Sequence, residues 1–437
     1  MPSEITIDRA DRTAAIPAVP ASAAGRPRPP TPHRRGRRGP PPVSGSGPRG
    51  AGRTRPGAGR GALPLAAAAV LTLAPGPAAG IGSALVPVST QLLGVACPST
   101  TRCVAVGAAT GLDSATGLVE TWDGRRWTAA APVRVPGYAF VTLSGVACVA
   151  ATCIVVGYAQ DRSGTRALVL VGRGRGWSAM RGAPAGSGAE LLAVACATAR
   201  SCLAVGSRQA TLGEQQPLAE RWNGRSWSLA PPVLRGGWAA SRLDQVACAG
   251  VDSCAAVGSA TLGGAGGLPP ASVAEWWRPS GWTLVGAADP VAAVACPAAL
   301  PCLALGTQSR HAGQPVLLRS AGGRWTPTGP SGGPGLIGVD RLACAAASAC
   351  LAVGARRAGG AGDQTPSAAS WTGAAWTPMA VAGPVGGDDA FDAVACPRPR
   401  ECVAVGLRQR GAGELAVAAR WNGATWTWPA VGRAGAG

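Results

Sequence analysis

The chain has 437 residues, 40 arginines but no lysine, two histidines, 14 cysteines and a formal net charge of +19. Two histidines leave little room for general acid–base chemistry near neutral pH, and no Ser-His-Asp arrangement, His-Glu-x-x-His, phosphate loop or dinucleotide fingerprint is present. The abundance of Ala, Gly, Pro and Arg reads partly as GC-rich coding bias, so net charge by itself does not specify a partner.

In chain order, residues 1–60 lack periodic apolar positions and carry twelve Arg against Glu4, Asp8 and Asp11. Such a stretch buries too little to offset chain entropy, and a disordered Arg/Pro/Gly-rich tail is expected. Residues 61–84 open with an apolar run from Gly61 to Ala74, behind Arg53, Arg55 and Arg60. Its length suits the apolar core of an export signal better than a spanning helix of about 20 residues. A signal peptide is therefore expected, with a membrane anchor as the alternative, and membrane association follows only from the latter.

Beyond residue 84 the cysteines dominate. They form close pairs, Cys97/Cys103, Cys148/Cys153, Cys196/Cys202, Cys248/Cys254, Cys296/Cys302, Cys344/Cys350 and Cys396/Cys402, whose first members lie 48 to 52 residues apart. A unit of that size cannot bury a core alone, so residues 85–432 are expected to be one cooperative array of stacked copies, followed by a short tail at 433–437. Each copy reads L-x-x-V-A-C, a short loop, C-x-A-V-G, a longer Gly-rich loop, a strand ending in Trp, a turn, and a closing Trp-Thr. That pattern supports four short strands. By period-two alternation Leu93, Val95 and Cys97 share one face, as do Cys103 and Ala105, while Val104 and Val106 point the other way. Strands apolar on both faces belong between neighbours.

Trp122-Asp123-Gly124-Arg125-Arg126-Trp127, Trp222-Asn223-Gly224-Arg225-Ser226-Trp227 and Trp421-Asn422-Gly423-Ala424-Thr425-Trp426 carry the clearest turn signal. A two-residue type I′ hairpin is expected. That register sets Trp222 opposite Arg225 and Glu220 opposite Trp227, with the tryptophans packing between copies. The second and fifth copies have Gly172 and Ser320 in place of the first Trp.

These residues carry a resemblance. Repeated four-stranded units of this length resemble β-propellers, and W-[ND]-G-x-[ST]-W is similar to the Asp-box of sialidase-type BNR repeats, although the spacing to the closing Trp is one residue shorter. C-x-A-V-G resembles the G-W-A-V-G strand of photosystem-assembly-factor-like propellers. The Cys-paired form resembles repeats of secreted actinobacterial proteins. The fold expected is all-β: a seven-bladed β-propeller of four-stranded antiparallel blades with a disordered N-terminal tail.

The even cysteine count and the export-like segment imply a disulfide across each first hairpin in an oxidising compartment. Zinc is disfavoured because only His33 and His311 accompany pairs that belong to separate copies, and no cofactor is expected. In an antiparallel meander the cysteine hairpins and Trp turns share one end, and the long variable loops emerge at the other. Those loops bring Arg162, Arg208, Arg310, Arg356, Arg357, Arg408 and Arg410 toward the channel mouth as candidate ligand-binding residues. The function expected is a secreted or extracytoplasmic, non-catalytic binding or scaffolding module for an anionic cell-wall glycan or an acidic protein surface, acting as a monomer. Nucleic acid is not expected. A sialidase-like glycoside hydrolase is one alternative; it would draw on Tyr138 or Tyr158 and on non-repeating acids such as Glu190, Asp389 and Asp392. An envelope protein assembly factor is another.

Overall fold

The computed structural model of the chain describes residues 5–6, 89–173, 176–210, 214–233, 238–262, 271–285, 291–297, 301–308, 314–321, 324–327, 339–357, 364–383, 388–411 and 413–432. Residues 61–84, expected to form the signal or anchor, lie outside them, as does the tail at 433–437. Of the N-terminal tail, Ile5–Thr6 is described and pairs in parallel with Val133–Arg134. No helix among the described residues is long and apolar enough to cross a membrane.

Every described element is a strand. The third copy shows the plan: Glu190–Thr198, Ser201–Gln209, Gln215–Trp222 and Trp227–Leu229 form an antiparallel four-stranded sheet in sequence order. Its first strand is innermost and its last is outermost. The expected alternation on the second strand holds: Cys103 and Ala105 pack with Val403, Val405 and Ala418 of the last copy, and Val104 and Val106 with Val141, Val155 and Leu170 of the second. Each sheet is thus sandwiched, and its driving force is apolar area removed from water on both faces. The result is an all-β propeller with four-stranded blades.

The blade count expected from the cysteine period is corrected. Five separate four-stranded blades are present, not seven, and the first two copies are fused in one ten-stranded sheet. The fusion runs through the linker between them. Val133 pairs with Gly117, and Phe140, opening the next inner strand Phe140–Val149, pairs with Ala115. Gly117 permits this approach, since a Cβ there would lie 2.9 Å from Leu143 Cγ and 3.0 Å from Val133 Cβ. A repeat period counts copies; it does not register where a linker adds ladder pairs that join two of them.

All seven cysteine pairs are disulfide-bonded, and no free cysteine remains. Such bonding marks an oxidising environment. Pairing across the first hairpin is as expected, but the sulfurs do not form an exposed feature of the hairpin end. The second member of every pair, Cys103, Cys153, Cys202, Cys254, Cys302, Cys350 and Cys402, is buried, and each belongs to a different apolar cluster. The first members, Cys97, Cys148, Cys196, Cys248, Cys296, Cys344 and Cys396, are half-buried. The second strand lies inside the blade and its cysteine opens that strand's apolar face, so the bridge packs with the core. These cysteines are staples and packing groups, and no ligand could reach the buried seven.

The Trp turn departs from the expected register: Trp222 stands opposite Trp227, and Glu220 opposite Leu229. The connection is four residues long because the Asn223 side chain closes it. Asn223 Oδ1 accepts from the amides of Arg225 and Ser226, both at 2.9 Å, and only Gly224 adopts positive φ, at 93°. Asp123 and Asn422 make the same turn. The paired tryptophans pack against each other across it at a tilt, with centroids 5.7 Å apart and planes 36° apart for Trp222 and Trp227.

Two buried glutamates tie the linkers down, and a third marks the far end of the chain. Glu220 Oε2 accepts from the Ala183 amide and Glu275 Oε2 from the Val233 amide, each at 2.9 Å, so each blade grips the linker that enters it. Glu120, in the first copy, faces Gly432 at the far end of the chain. It completes no hydrogen bond of full geometry, although the Gly432 backbone lies against it. The first inner strand, Ser89–Ser99, also meets the last blade, where Ser89 Oγ and Thr90 Oγ1 accept from the amides of Glu414 and Ala416. The ring is closed by these contacts.

Candidate functional site

The inner strands surround an open central channel of about 740 Å³. What they present to it is set by a local irregularity. Each inner strand slips register by one residue, between Leu92 and Gly94, Leu143 and Gly145, Leu191 and Ala193, Leu243 and Gln245, Val291 and Ala293, Val339 and Arg341, and Phe391 and Ala393. A β-bulge leaves one residue unpaired and re-aims its side chain. The skipped residues Leu93, Ser144, Leu192, Asp244, Ala292 and Asp392 all line the channel. Leu93 therefore does not share the face of Val95, as strict alternation had it; Leu92 is the buried residue instead.

The same feature explains the glycine of C-x-A-V-G. Gly107, Gly206 and Gly258 pair opposite Leu92, Leu191 and Leu243, at the edge of the bulge. A Cβ on them would run into the carbonyl oxygens of Gln91, Glu190 and Arg242. Glycine is required there for close backbone approach.

The channel wall is two-sided. Among the described residues, the arc of the first three copies presents Leu93, Thr142, Ser144, Tyr158 and Leu192 and no charged side chain; on the other stand the charged Arg242, Asp244, Arg341 and Asp392, with the apolar Val291 and Ala292 of the fifth copy between them. The charged arc is internally connected. Arg242 Nε lies 2.8 Å from Asp244 Oδ1, Arg341 Nε donates to the Asp392 carbonyl at 2.8 Å, and Gln91 Nε2 donates to Asp392 Oδ2 at 3.0 Å. Burial pushes the Asp244 carboxyl above the usual carboxylate range, opposed by Arg242 and then Arg341, while Glu190 adds to the rise. Glu190 accepts from Ser207 Oγ at 2.6 Å. Tyr158 also lines the channel, whereas Tyr138 packs against the core between the first two copies.

Of the arginines singled out from sequence, Arg208, Arg356 and Arg408 occupy equivalent places two residues beyond the glycine of their second strands. Arg208 is half-buried and Arg356 exposed. Arg408 is committed locally: its Nε donates to Asp389 Oδ2 at 3.0 Å, and its guanidinium lies 5.4 Å from the Trp428 ring centroid. Asp389 is itself raised by burial, opposed by Arg408. Arg410 ends its strand and Arg162 sits in the Asp161–Gly164 turn, both exposed. Arg310 and the Arg357 side chain lie outside the described residues. The residues that sequence reasoning passed over are Arg242, Asp244, Gln245 and Arg341. Their signal was present as departures from L-x-x-V-A-C at the two x positions and the one before, but without the bulge those positions read as ordinary strand. Among the described residues no cluster of His, Cys, Asp and Glu could hold a metal ion.

Neither any protein-family model nor any curated protein sequence matches the chain. Among solved structures it is similar to YCF48 bound to D1 peptide, at 14% identity over 77% of this chain and 94% of that one, with a TM-score of 0.46. It is similar to an Aleuria aurantia lectin in complex with α-methyl-L-fucoside, at 12% identity over 68% and 96%, TM-score 0.43. A third is the β-propeller domain of the Trilobed protease from Pyrococcus furiosus, at 9% identity over 78% and 97%, TM-score 0.48.

Proposed function

We propose that this chain is a non-catalytic binding or scaffolding propeller of the cell envelope, exported or anchored there, which engages an anionic glycan or an acidic protein surface at the loop end of its channel. The observation that carries this reading is the repeated bulge. One backbone device recurs around the channel, yet the side chains it presents differ from copy to copy, Leu93, Ser144 and Leu192 on one arc and Asp244 and Asp392 on the other. A scaffold that is kept while its presented groups diverge suits recognition of an asymmetric ligand. Arg208, Arg356 and Arg410 at the mouth supply the attraction for anionic groups.

The test is equilibrium binding of purified protein to fragments of anionic cell-wall glycan, with Arg208, Arg356 and Arg410 replaced together by alanine, and Asp244→Asn as a separate channel variant. Binding lost in the triple variant supports the reading; unchanged binding in both rejects it. Turnover of fluorogenic sialosides by the wild type would reject the non-catalytic part.

A further inference from the structure

The opposite end of the propeller, where the cysteine hairpins and Trp turns emerge, has a more one-sided charge than the loop end. Its hairpins carry Arg102, Arg200, Arg398 and Arg400, and its turns carry Arg125, Arg126 and Arg225. Flanking strand ends add Arg173, Arg221 and Arg278, then Arg319, Arg324 and Arg420. Against these stand Asp123, Asp252 and Glu401 among the described residues, and two of the three are already paired, Asp123 with Arg126 and Asp252 with Arg221, each at 3.8 Å. The loop end is different. There Arg242 and Arg408 are matched by Asp244 and Asp389, and Asp113, Asp161, Glu214 and Glu414 offset the rest.

Several of these arginines recur at equivalent places in two or three copies: two residues before the second cysteine in Arg200 and Arg400, before the first-Trp position in Arg221, Arg319 and Arg420, after it in Arg173 and Arg278, and within the turn in Arg125 and Arg225. The two ends differ in their acids more than in their arginines, so coding bias toward arginine does not account for the asymmetry. So many like charges on one end repel one another, and the repulsion is relieved by whatever anion settles there.

We infer that this end is a second interaction surface, beyond the loop-end site proposed above, and that it binds a flexible linear polyanion bearing phosphate or carboxylate groups. Guanidinium groups take either anion through paired N–H donors, and a chain with repeated charges can follow arginines spread over several blades. Charge alone carries the contact: among the described residues Val251 is the exposed large apolar side chain on these hairpins, and Trp122, Trp127 and Trp227 are buried behind the arginines. A bilayer partner would ask for an apolar set to enter the interface.

The experiment uses the full chain with Arg125, Arg200, Arg225 and Arg324 replaced together by glutamine. Each is exposed and in a turn or at a strand end. The probes are long-chain inorganic polyphosphate and polygalacturonate, titrated at two ionic strengths, so that the two arms separate phosphate from carboxylate recognition. The wild type should bind at least one, more weakly in higher salt, and the variant should lose about tenfold or more with a shallower salt dependence. Arg→Lys at the same four positions should retain binding, separating lost charge from lost folding. The loop-end triple variant should retain the polyphosphate binding that the glutamine variant loses. The inference is overturned if the glutamine variant binds both polymers at wild-type strength, if only the loop-end variant loses them, or if the protein binds anionic lipid vesicles and neither polymer.

Discussion

Glu120→Gln should flatten the pH dependence of stability at the point where the ring closes. Glu120 is fully buried, and burial raises its carboxyl from 4.5 to about 8, opposed only in part by the Gly432 backbone. Between those two pH values the native state holds a proton that the unfolded chain has released, so stability falls as pH rises through the window. Below 4.5 both states are protonated, and above about 8 both are ionised, so the effect levels off on each side. Integrating the difference, Glu120 alone removes on the order of 3–4 kcal/mol between pH 5 and pH 8. Glu220 and Glu275, raised to about 7 by burial and opposed by the Ala183 and Val233 amides, act with the same sign over a shorter window. Glutamine is isosteric with the protonated carboxyl and does not titrate. The variant should match the wild type near pH 5 and exceed it at pH 8. Urea-unfolding midpoints from pH 5 to 9 supply the measurement, and hydrogen exchange at the amides of Val431 and Gly432 reports whether ionised Glu120 first releases the C-terminal segment. A variant whose midpoints fall with pH as steeply as the wild type's would refute the assignment of this proton to Glu120.

Gly206→Ala should destabilise by about 2–4 kcal/mol, because the new Cβ meets the Glu190 carbonyl backbone and only a shift of the bulge relieves it; chemical denaturation measures the loss. Asn223→Ala removes the acceptor of two turn amides and should cost about 1 kcal/mol, read from the thermal midpoint. Replacing Cys196 and Cys202 together by alanine, which leaves no unpaired hydroxyl at the buried Cys202 position, should cost about 2 kcal/mol on loop-closure grounds. Non-reducing peptide mapping of the native protein should find every cysteine linked to its hairpin partner.

Much of this architecture was legible because it is written several times. The cysteine spacing disclosed the copy length, and the apolar faces of Val104 and Val106 against Cys103 and Ala105 disclosed that each sheet lies between two others. Three things were hidden, each for a local reason. Asn-Gly reads as a two-residue hairpin from backbone preference, but Asn223 Oδ1 satisfies two amides of a longer turn and fixes a different register. The fusion of the first two copies depends on Val133 reaching Gly117 across the sheet, a contact between a linker and a strand with no periodic trace. The channel residues depend on a bulge, and a bulge inverts alternation beyond it, so Asp244 and Asp392 read from the first residue of the strand fall on the wrong face.

The bulge also explains why the glycine of C-x-A-V-G and the variable residue that follows its ladder partner belong to one unit. The glycine removes the side chain that would block the inner strand's carbonyl, and the slipped register lets the next residue leave the ladder and enter the channel. Because the exposed residue makes no ladder pair, its identity is uncoupled from the stability of the blade, and leucine, serine, alanine and aspartate all occupy it. Substitutions at Leu93 or Ser144 should therefore alter ligand preference with changes in stability within about 0.5 kcal/mol, in contrast to the glycines across from them. Parallel measurement of thermal midpoints and glycan binding for Leu93→Ser and Ser144→Leu decides the point. A large loss of stability in either would mean that the bulge residue is structural, and recognition would then have to be sought at the rim of the channel instead.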